Sequence, residues 1–564
     1  MKLILPTALL AFCISHAHAA TPKVHKVAKP LTPAQIMDAA LQKIDGATLL
    51  DQITTLASDE FEGRAPGTHG EAVTIDYLQQ QFKKLGLEPG NPDGTYLQAV
   101  PLVGISSHPV LSYSKDGQVT PLTFGDDYVA WTARAEKKIE IADSELVFVG
   151  YGVQAPEFKW DDYKGADLKG KTLVMLINDP PVPDPKHPKL LDPAVFGGSA
   201  MTYYGRWTYK FEMAAKMGAA AALIVHETKA ATYPYEVVVN SWGRENFAIK
   251  SKTPAPDLPA VPGWLQQDRA RALFKAGGFD FETLKKQALS RGFTPVPLGL
   301  KLKLAMPNAW RDLASHNVVA KLPGSDPQLK NEVVLYTAHW DHFGIDETLP
   351  GPRTQQIFHG AVDNASGVAA LLQIARAYKS LPTAPKRTIL FVLTTAEERG
   401  LLGAQYYARN PLYPISKTVL NINVDGLNMW GRTRDVELSG MGKSSADDIV
   451  AAVAEQQGRA VRPDSNVDYG SYYRGDQFEF ARAGVPVIYL RSSINYIGKP
   501  AAYGKEKLLH YTANQYHTVN DTVQPKWDTG GAVEDIELLF QAGYQAAQSK
   551  DQPKWKAGAE FQRR

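Results

Sequence analysis

The chain has 564 residues, a length that indicates roughly two to four domains. Its residues are 44% hydrophobic and 21% charged, which excludes a disordered or fibrous protein. The 61 Lys and Arg residues almost balance the 59 Asp and Glu residues and leave a formal net charge of +2. Since this charge gives no strong field for binding nucleic acid or an anionic membrane surface, we expect no nucleic-acid partner.

The first twenty residues have the pattern of a signal peptide. Lys2 precedes an apolar run, and the segment ends in small residues in which Ala17, His18 and Ala19 match an A-x-A cleavage site. The apolar run is shorter than the roughly 20 residues that a membrane-spanning helix needs, so we expect no membrane span. The single cysteine, Cys13, lies inside this segment. The signal-peptide pattern predicts an exported protein. The absence of cysteine from the mature chain favours a bacterial envelope compartment, so we expect a periplasmic or secreted location.

Apolar periodicity divides the rest of the chain into segments. Residues 35–85 have a helical pattern, and the segment FEMAAKMGAAAALIVHE, residues 211–227, has the pattern of one helix between predicted strands. The predicted divisions are a leader (21–42), the first part of a main domain (43–140), a compact inserted domain (141–299), the second part of the main domain (300–550) and a polar tail (551–564).

Strands and helices alternate regularly from residue 331 onward. The predicted strands NEVVLYTA, RTILFVLTT, TVLNINVDG and VPVIYL are almost continuously apolar, and amphipathic helices separate them. This pattern predicts an α/β fold with a mostly parallel sheet sandwiched by helices. In such a fold the functional site is expected at the carboxyl ends of the strands.

Polar residues suited to metal binding follow these strands. They are His339 and Asp341 in AHWDH, Asp363 in GAVDNASG, the pair Glu397 and Glu398, Asp425 in NVDG, and His517 in YHTVNDT. Several carboxylates that converge without cations would be unstable. Imidazole and carboxylate ligands suit zinc, and five ligands suit two ions that share one carboxylate.

The ordered motifs HWD, DNASG, EE, VDG and YH resemble the family of co-catalytic zinc exopeptidases, which includes the bacterial leucyl aminopeptidases and glutamate carboxypeptidase II. The resemblance covers residues 43–140 and 300–550, and the inserted domain resembles the protease-associated domain that many members carry. It implies a zinc-exopeptidase fold, two zinc ions per chain and peptide substrates.

The resemblance also implies a ligand set. Asp363 is expected to bridge the two ions, with His339 and Asp425 completing one site and Glu398 and His517 completing the other. A cis peptide bond between Asp363 and Asn364 is a further hypothesis that the family suggests.

Three catalytic roles follow from the same resemblance. Glu397 matches the general base that takes a proton from the attacking water and passes it to the leaving amine. Asp341 matches the carboxylate that orients the imidazole of His339, and Tyr516 matches a phenol that stabilises the oxyanion.

Several neighbouring residues leave alternatives open. His342 and His359 are expected to be structural or to face the substrate, and His510 and Tyr511 are candidates for lining the cleft. Many relatives have Ser-Asp-His where this chain has Gly475, Asp476 and Gln477, which affects side-chain specificity and none of the ligands.

We favour an aminopeptidase, because in the aminopeptidases that this chain resembles the free α-amine of the substrate lies beside the residues that match Glu397 and Asp425. The alternative on the same scaffold is a carboxypeptidase, which needs a cluster of arginines to hold the terminal carboxylate. The candidates for such a cluster are Arg432, Arg434, Arg474 and Arg491. A receptor that has lost its chemistry should show broken ligands, whereas all five are intact here, and a glutaminyl cyclase would use a single zinc ion.

Overall fold

The computed structural model describes residues 31–251 and 257–563. The predicted signal peptide and residues 21–30 of the predicted leader lie outside the described residues. The rest of that leader contains the helix Pro33–Leu41. Thr32 and Gln35 form a capping box at its start, and Pro33 occupies its first turn, where a missing backbone N–H costs nothing.

Four buried parallel strands form the centre of the main sheet, in the order Thr388–Thr394, Val333–His339, Thr418–Asn423 and Val487–Arg491. The register pairs His339 with Thr394 and Thr337 with Asn423. The carboxyl ends of these strands therefore meet at one edge of the sheet.

Helices cover both faces of this sheet. Successive residues of a strand point to opposite faces, so Tyr336 packs into one hydrophobic core and Leu335 into another. The first core includes the helices Gly367–Ser380 and Gly530–Gln548, and the second includes Tyr407, Phe478 and Phe480. This arrangement confirms the predicted α/β fold class.

A second sheet has its own hydrophobic core, formed by residues between Leu111 and Met306. The long strand Val296–Leu322 joins the two sheets, because residues 296–307 pair within the second sheet and residues 308–322 pair within the main sheet. The bounds 141–299 and the protease-associated identity of the inserted domain stay predictions.

The prediction of one helix over residues 211–227 is wrong. The helix Trp207–Lys216 ends before Gly218, which has a φ of 69°, a conformation that glycine adopts easily at the end of a helix. Residues Ala221–His226 then form a fully buried parallel strand between Thr172–Leu176 and Val261–Gln266. A short apolar run does not by itself distinguish a buried strand from a buried helix.

The remaining elements complete the two layers. Further helices are Gly46–Leu56, His69–Leu85, Thr228–Ala231, Tyr235–Trp242, Gln267–Gly277, Phe281–Gln287, Leu402–Arg409, Ala446–Gln456, Gln477–Arg482 and Tyr503–Asn514. Further strands are Glu88–Pro89, Leu97–Ser107, Val110–Lys115, Gln118–Leu122, Tyr128–Ala130, Lys138–Phe148, Gln154–Ala155, Trp160–Asp161, Asn246–Ile249, Gly344–Ile345, Ile357–Phe358, Asp435–Leu438 and Ala460–Pro463. Within the described ranges, no helix has the length and apolarity needed to span a membrane.

Candidate metal centre

The carboxyl edge of the main sheet presents the predicted ligands. His339 is the last residue of its strand, and Asp425 follows the strand Thr418–Asn423 by two residues. Ala396, just before the glutamate pair, has a φ of 52°, and His517 has a φ of 57°. Such conformations are uncommon for residues other than glycine and are typical of functional sites.

Short contacts bring all five predicted ligands together. The Nε2 atom of His339 lies 3.2 Å from Asp363 Oδ1 and 3.5 Å from Asp425 Oδ1. The Nε2 atom of His517 lies 3.1 Å from Asp363 Oδ2 and 3.2 Å from Glu398 Oε2. The two carboxylate oxygens of Asp363 therefore face different imidazoles.

The composition of this cluster fits metal cations. Donor atoms of His339, Asp363 and Glu398 lie within 4.8 Å of one another, and so do those of His339, Glu397 and Asp425. Two imidazoles and four carboxylates share this small volume, which would leave excess negative charge without a cation. Nitrogen and oxygen donors of these types suit zinc.

The acids of the cluster differ in their proton affinity. Burial raises the pKa of Glu397 well above its usual value. Burial also acts to raise the pKa of Asp363, but hydrogen bonds with His339 and His517 hold it well below its usual range. For Glu398, burial also acts to raise the pKa, but the charges of His517 and His342 and a hydrogen bond with His342 together lower it. The cluster thus contains carboxyl groups suited to metal binding and one suited to carrying a proton.

Asp341 connects His339 to the glutamate pair. The Nδ1 atom of His339 lies 3.1 Å from the backbone carbonyl of Asp341 and 3.8 Å from its carboxylate. That carboxylate accepts hydrogen bonds from the backbone amides of Glu397 and Glu398, at 3.0 and 3.4 Å. Asp341 is fully buried and contacts both the imidazole of His339 and the turn that carries the two glutamates.

Tyr516 lies at the open side of the cluster. Its side chain is 44% exposed, and its ring stacks on that of His517 with the centroids 3.7 Å apart.

The Asp363–Asn364 peptide bond is cis, which confirms that prediction.

The other candidates from the sequence differ in burial and in the residues that they contact. His342 is buried and its Nδ1 lies 2.6 Å from Glu398 Oε1, so it contacts a predicted ligand. His359 contacts Asp59, and Tyr511 is buried and donates to Asp521. His510 is exposed on the helix Tyr503–Asn514.

Residues 475–477, which the sequence analysis connected only with side-chain specificity, lie beside the predicted ligands. Asp476 is buried, and the hydroxyl of Thr394 donates to its carboxylate. Burial raises the pKa of Asp476 to about 7. Its neighbour Gly475 is close to the ligands, since a Cβ there would lie 3.3 Å from Asp425 Oδ2. The departure from many relatives at Gly475 and Gln477 was the local signal of this contact.

The candidate arginines are dispersed. Arg432 is paired with Glu534 and its side chain is 62% exposed, and Arg491 donates to the hydroxyl of Tyr489. Arg474 instead contacts the predicted inserted domain. Its Nη2 atom donates a hydrogen bond to the hydroxyl of Thr232 at 3.0 Å. Arg206, which lies near Arg474, has no local sequence pattern that marks it.

All the predicted ligands and catalytic residues lie within one segment that matches a known family. Residues 317–541 match peptidase family M28. This match confirms the resemblance that the ordered motifs indicated.

Curated relatives match shorter segments. The vacuolar membrane protease of Phaeosphaeria nodorum is 26% identical over 234 residues, which cover 39% of this chain and 22% of the relative. The aminopeptidase NAALADL1 of Mus musculus is 32% identical over 146 residues, covering 24% of this chain and 17% of the relative. The chain thus spans less than a quarter of the length of these two relatives.

A solved structure matches nearly the whole chain. The aminopeptidase from Aneurinibacillus sp. strain AM-1 superposes with a TM-score of 0.50 at 19% identity, covering 92% of this chain and 97% of that one. At this identity the likeness shows a shared fold.

The prediction of a periplasmic or secreted location is wrong. Vacuolar membrane proteases of Phaeosphaeria nodorum, Clavispora lusitaniae and Saccharomyces cerevisiae are among the relatives, which contradicts it. A positive charge followed by an apolar run directs a chain to a translocation channel. The same physical signal serves proteins with different destinations, so it did not determine the compartment.

Proposed function

We propose that this protein is a zinc-dependent exopeptidase that hydrolyses peptide bonds and acts as an aminopeptidase. The observation that carries the proposal is the arrangement around Asp363, whose two oxygens face the imidazoles of His339 and His517 at 3.2 and 3.1 Å. Asp425 and Glu398 each approach one of these imidazoles. This division supports two metal positions that share one carboxylate.

In this proposal His339, Asp425 and Asp363 would hold one zinc ion, and Glu398, His517 and the same Asp363 would hold the other. When bound, the pair of ions makes a coordinated water acidic enough to attack at neutral pH and polarises the carbonyl of the scissile bond.

The chain's own residues move the protons. The carboxylate of Glu397 accepts the proton of the attacking water and donates it to the leaving nitrogen. Asp341 holds Glu397 in place through the backbone amide. The hydroxyl of Tyr516, at the open side of the cluster, donates a hydrogen bond to the substrate oxygen as negative charge develops on it. Peptides are the substrates in this scheme.

Negative charge beside the scissile bond favours an aminopeptidase. Glu397 and Asp425 have donor atoms within 4.8 Å of each other, so a substrate ammonium group would find two carboxylates there. A free amino terminus supplies such a group, and a blocked one does not.

One observation favours the carboxypeptidase alternative. Arg206 lies in the predicted inserted domain and is 93% buried. Within the described part of the chain, neither the Nε atom of Arg206 nor that of Arg474 has a hydrogen-bond partner. Burial, together with the positive charge of Arg474, lowers the pKa of Arg206 to about 9. Two neighbouring guanidinium groups without a carboxylate partner would suit the carboxylate of a peptide.

The two activities are separated by blocking each end of one peptide. Removal of the amino-terminal charge by acetylation is expected to reduce kcat/KM by orders of magnitude, because the contact with Glu397 and Asp425 is lost. Amidation of the carboxyl end should change kcat/KM much less. Equal turnover of free and acetylated peptides, with loss of activity on amidation, would establish the carboxypeptidase instead.

A further inference from the structure

The segment that carries Asp363 lies between two buried side chains of opposite charge. Arg64 contacts the carbonyl groups at its start, and Asp521 contacts the amide groups at its end. Arg64 is fully buried and Asp521 is 1% exposed. Buried charges of this kind are stable only when their hydrogen-bonding capacity is satisfied.

Arg64 fastens this segment to the strand end that carries His339. Its Nη1 and Nη2 atoms donate to the carbonyls of His359 and Gly360, at 2.7 and 2.9 Å. Its Nε atom donates to the carbonyl of Trp340, the residue after His339, at 2.9 Å. One rigid guanidinium group therefore fixes the distance between the backbone segments of two ligands.

The fit at this point leaves no room for adjustment. Gly360 has a φ of 55°, and a Cβ added there would lie 2.7 Å from Arg64 Nη2 and 2.7 Å from the ring of His342. The Nη1 atom of Arg64 also donates a hydrogen bond to the carbonyl of Leu56 at 2.7 Å. This bond connects the arrangement to the amino-terminal helices.

Asp521 fastens the same segment to the loop that carries His517. Its Oδ1 atom accepts from the amide of Val362 at 3.1 Å, and its Oδ2 atom accepts from the amide of Asp363 at 3.0 Å. Its backbone carbonyl accepts from the amide of Ala361 at 3.0 Å. The hydroxyl of Tyr511 also donates to Oδ2, at 3.3 Å.

We infer that Arg64 and Asp521 are positioning residues for the two metal sites: Arg64 sets the spacing of His339 and Asp363, and Asp521 sets the spacing of Asp363 and His517. Neither side chain touches the metal or the substrate in this scheme. The inference rests on the proposed metal centre and adds two residues to it that act only through the backbone of the ligands.

The test is the zinc affinity of the full-length protein with Asp521→Asn and with Arg64→Lys. An asparagine has the same shape as aspartate, but its NH₂ group cannot accept a hydrogen bond, so the amide of Val362 or Asp363 loses its acceptor. A lysine keeps the charge of Arg64 but cannot reproduce its four directed hydrogen bonds, because an ammonium group has three donors and lacks the planar geometry of guanidinium. We expect each variant to weaken one of two Zn²⁺-binding steps about 10- to 100-fold, as is typical of residues that orient ligands.

Titration calorimetry of the metal-free proteins with Zn²⁺ measures both steps, and the Co²⁺ absorption spectrum reports ligand geometry independently of activity. The double variant is expected to weaken both steps. Thermal unfolding of the metal-free proteins shows whether a variant has merely lost stability.

Two matched controls distinguish positioning from general stability. Arg387 is also fully buried and donates to Glu332 and to the carbonyl of Ala546, far from the ligands. Asp162 is buried and accepts from Val153 and Trp160. Arg387→Lys and Asp162→Asn should lower stability and leave zinc affinity unchanged.

The outcomes separate the inference from the proposed function. A wild-type protein that binds no zinc would overturn the proposed metal centre itself. A wild type that binds two ions, with both variants retaining its affinities and Co²⁺ spectrum, would overturn the positioning roles alone. Failure of Arg64→Lys to fold in saturating zinc would assign that residue to folding instead.

Discussion

At the scale of single residues, adjacent glutamates have different surroundings. Glu398 is held on both oxygens, by His342 at 2.6 Å and by His517 at 3.2 Å. The side chain of Glu397 has no hydrogen bond to another described residue, and its amide is bound to Asp341. A carboxylate held on both sides suits a ligand, and a freer one suits proton transfer.

The roles of the two glutamates predict different losses. Glu397→Gln should keep its zinc and lose several orders of magnitude in kcat, because a carboxamide cannot accept the proton of water. Glu398→Ala should lose zinc affinity as well as activity. Steady-state kinetics with metal analysis of each variant checks this, and the reverse pattern would show that the two roles have been exchanged.

At the scale of elements, the helix Gly530–Gln548 packs closely on the main sheet. Gly543 faces Tyr336 on the strand Val333–His339, and a Cβ at Gly543 would lie 1.8 Å from the hydroxyl of Tyr336. That hydroxyl is fixed, because it contacts the hydroxyl of Tyr378 and donates to the carbonyl of Leu539, both at 3.0 Å. The small residue sets the distance between helix and sheet.

Gly543→Ala is therefore expected to destabilise the protein by about 1–3 kcal/mol, as is typical of overpacking. The higher helix propensity of alanine, about 1 kcal/mol, acts in the opposite direction and offsets part of this loss. Denaturant unfolding measures the net change. Tyr336→Phe should recover part of the stability in the double variant, and a Gly543→Ala protein as stable as the wild type would contradict this packing.

At the scale of the whole molecule, buried acids couple stability to pH. Burial raises the pKa of Asp341 and of Asp521 to about 6, and that of Asp476 to about 7. In the unfolded chain these groups return to about 4. Without metal, the folded state therefore binds more protons than the unfolded state between about pH 4 and 7. Stability supplied by the protonated carboxyls is complete below about pH 4 and is lost as the pH rises through 6 and 7.

The chelated protein is accordingly expected to have a lower Tm at about pH 7.5 than at about pH 5. Added zinc should raise the Tm at the higher pH, because the metal binds only the folded state, and should restore the peptide hydrolysis that chelation abolishes. Calorimetric melting with and without chelator checks both effects. A chelated protein that melts at a higher temperature at pH 7.5, or that retains full activity with no bound metal, would contradict the expectation.

Much of the fold and of the candidate site could be predicted from local patterns. Near-continuous apolar strands predict a parallel sheet, and the carboxyl ends of parallel strands lie at one edge. His339 ends its strand, and Glu397, Glu398 and Asp425 come shortly after theirs. Their approach to one another is therefore a consequence of strand order. Ligand type then indicates the class of metal.

Contacts between distant residues were decided only by the tertiary structure. Arg64 is 296 positions from Gly360, and Asp521 is 158 positions from Asp363, and neither has a local pattern that indicates its partner. The strand Ala221–His226 is likewise a strand because it is buried between two others. The sequence by itself thus determined which residues are candidates for the chemistry, since residue type and strand position are local properties. Packing between segments far apart in the chain decided how those residues are held and which arginines lie together.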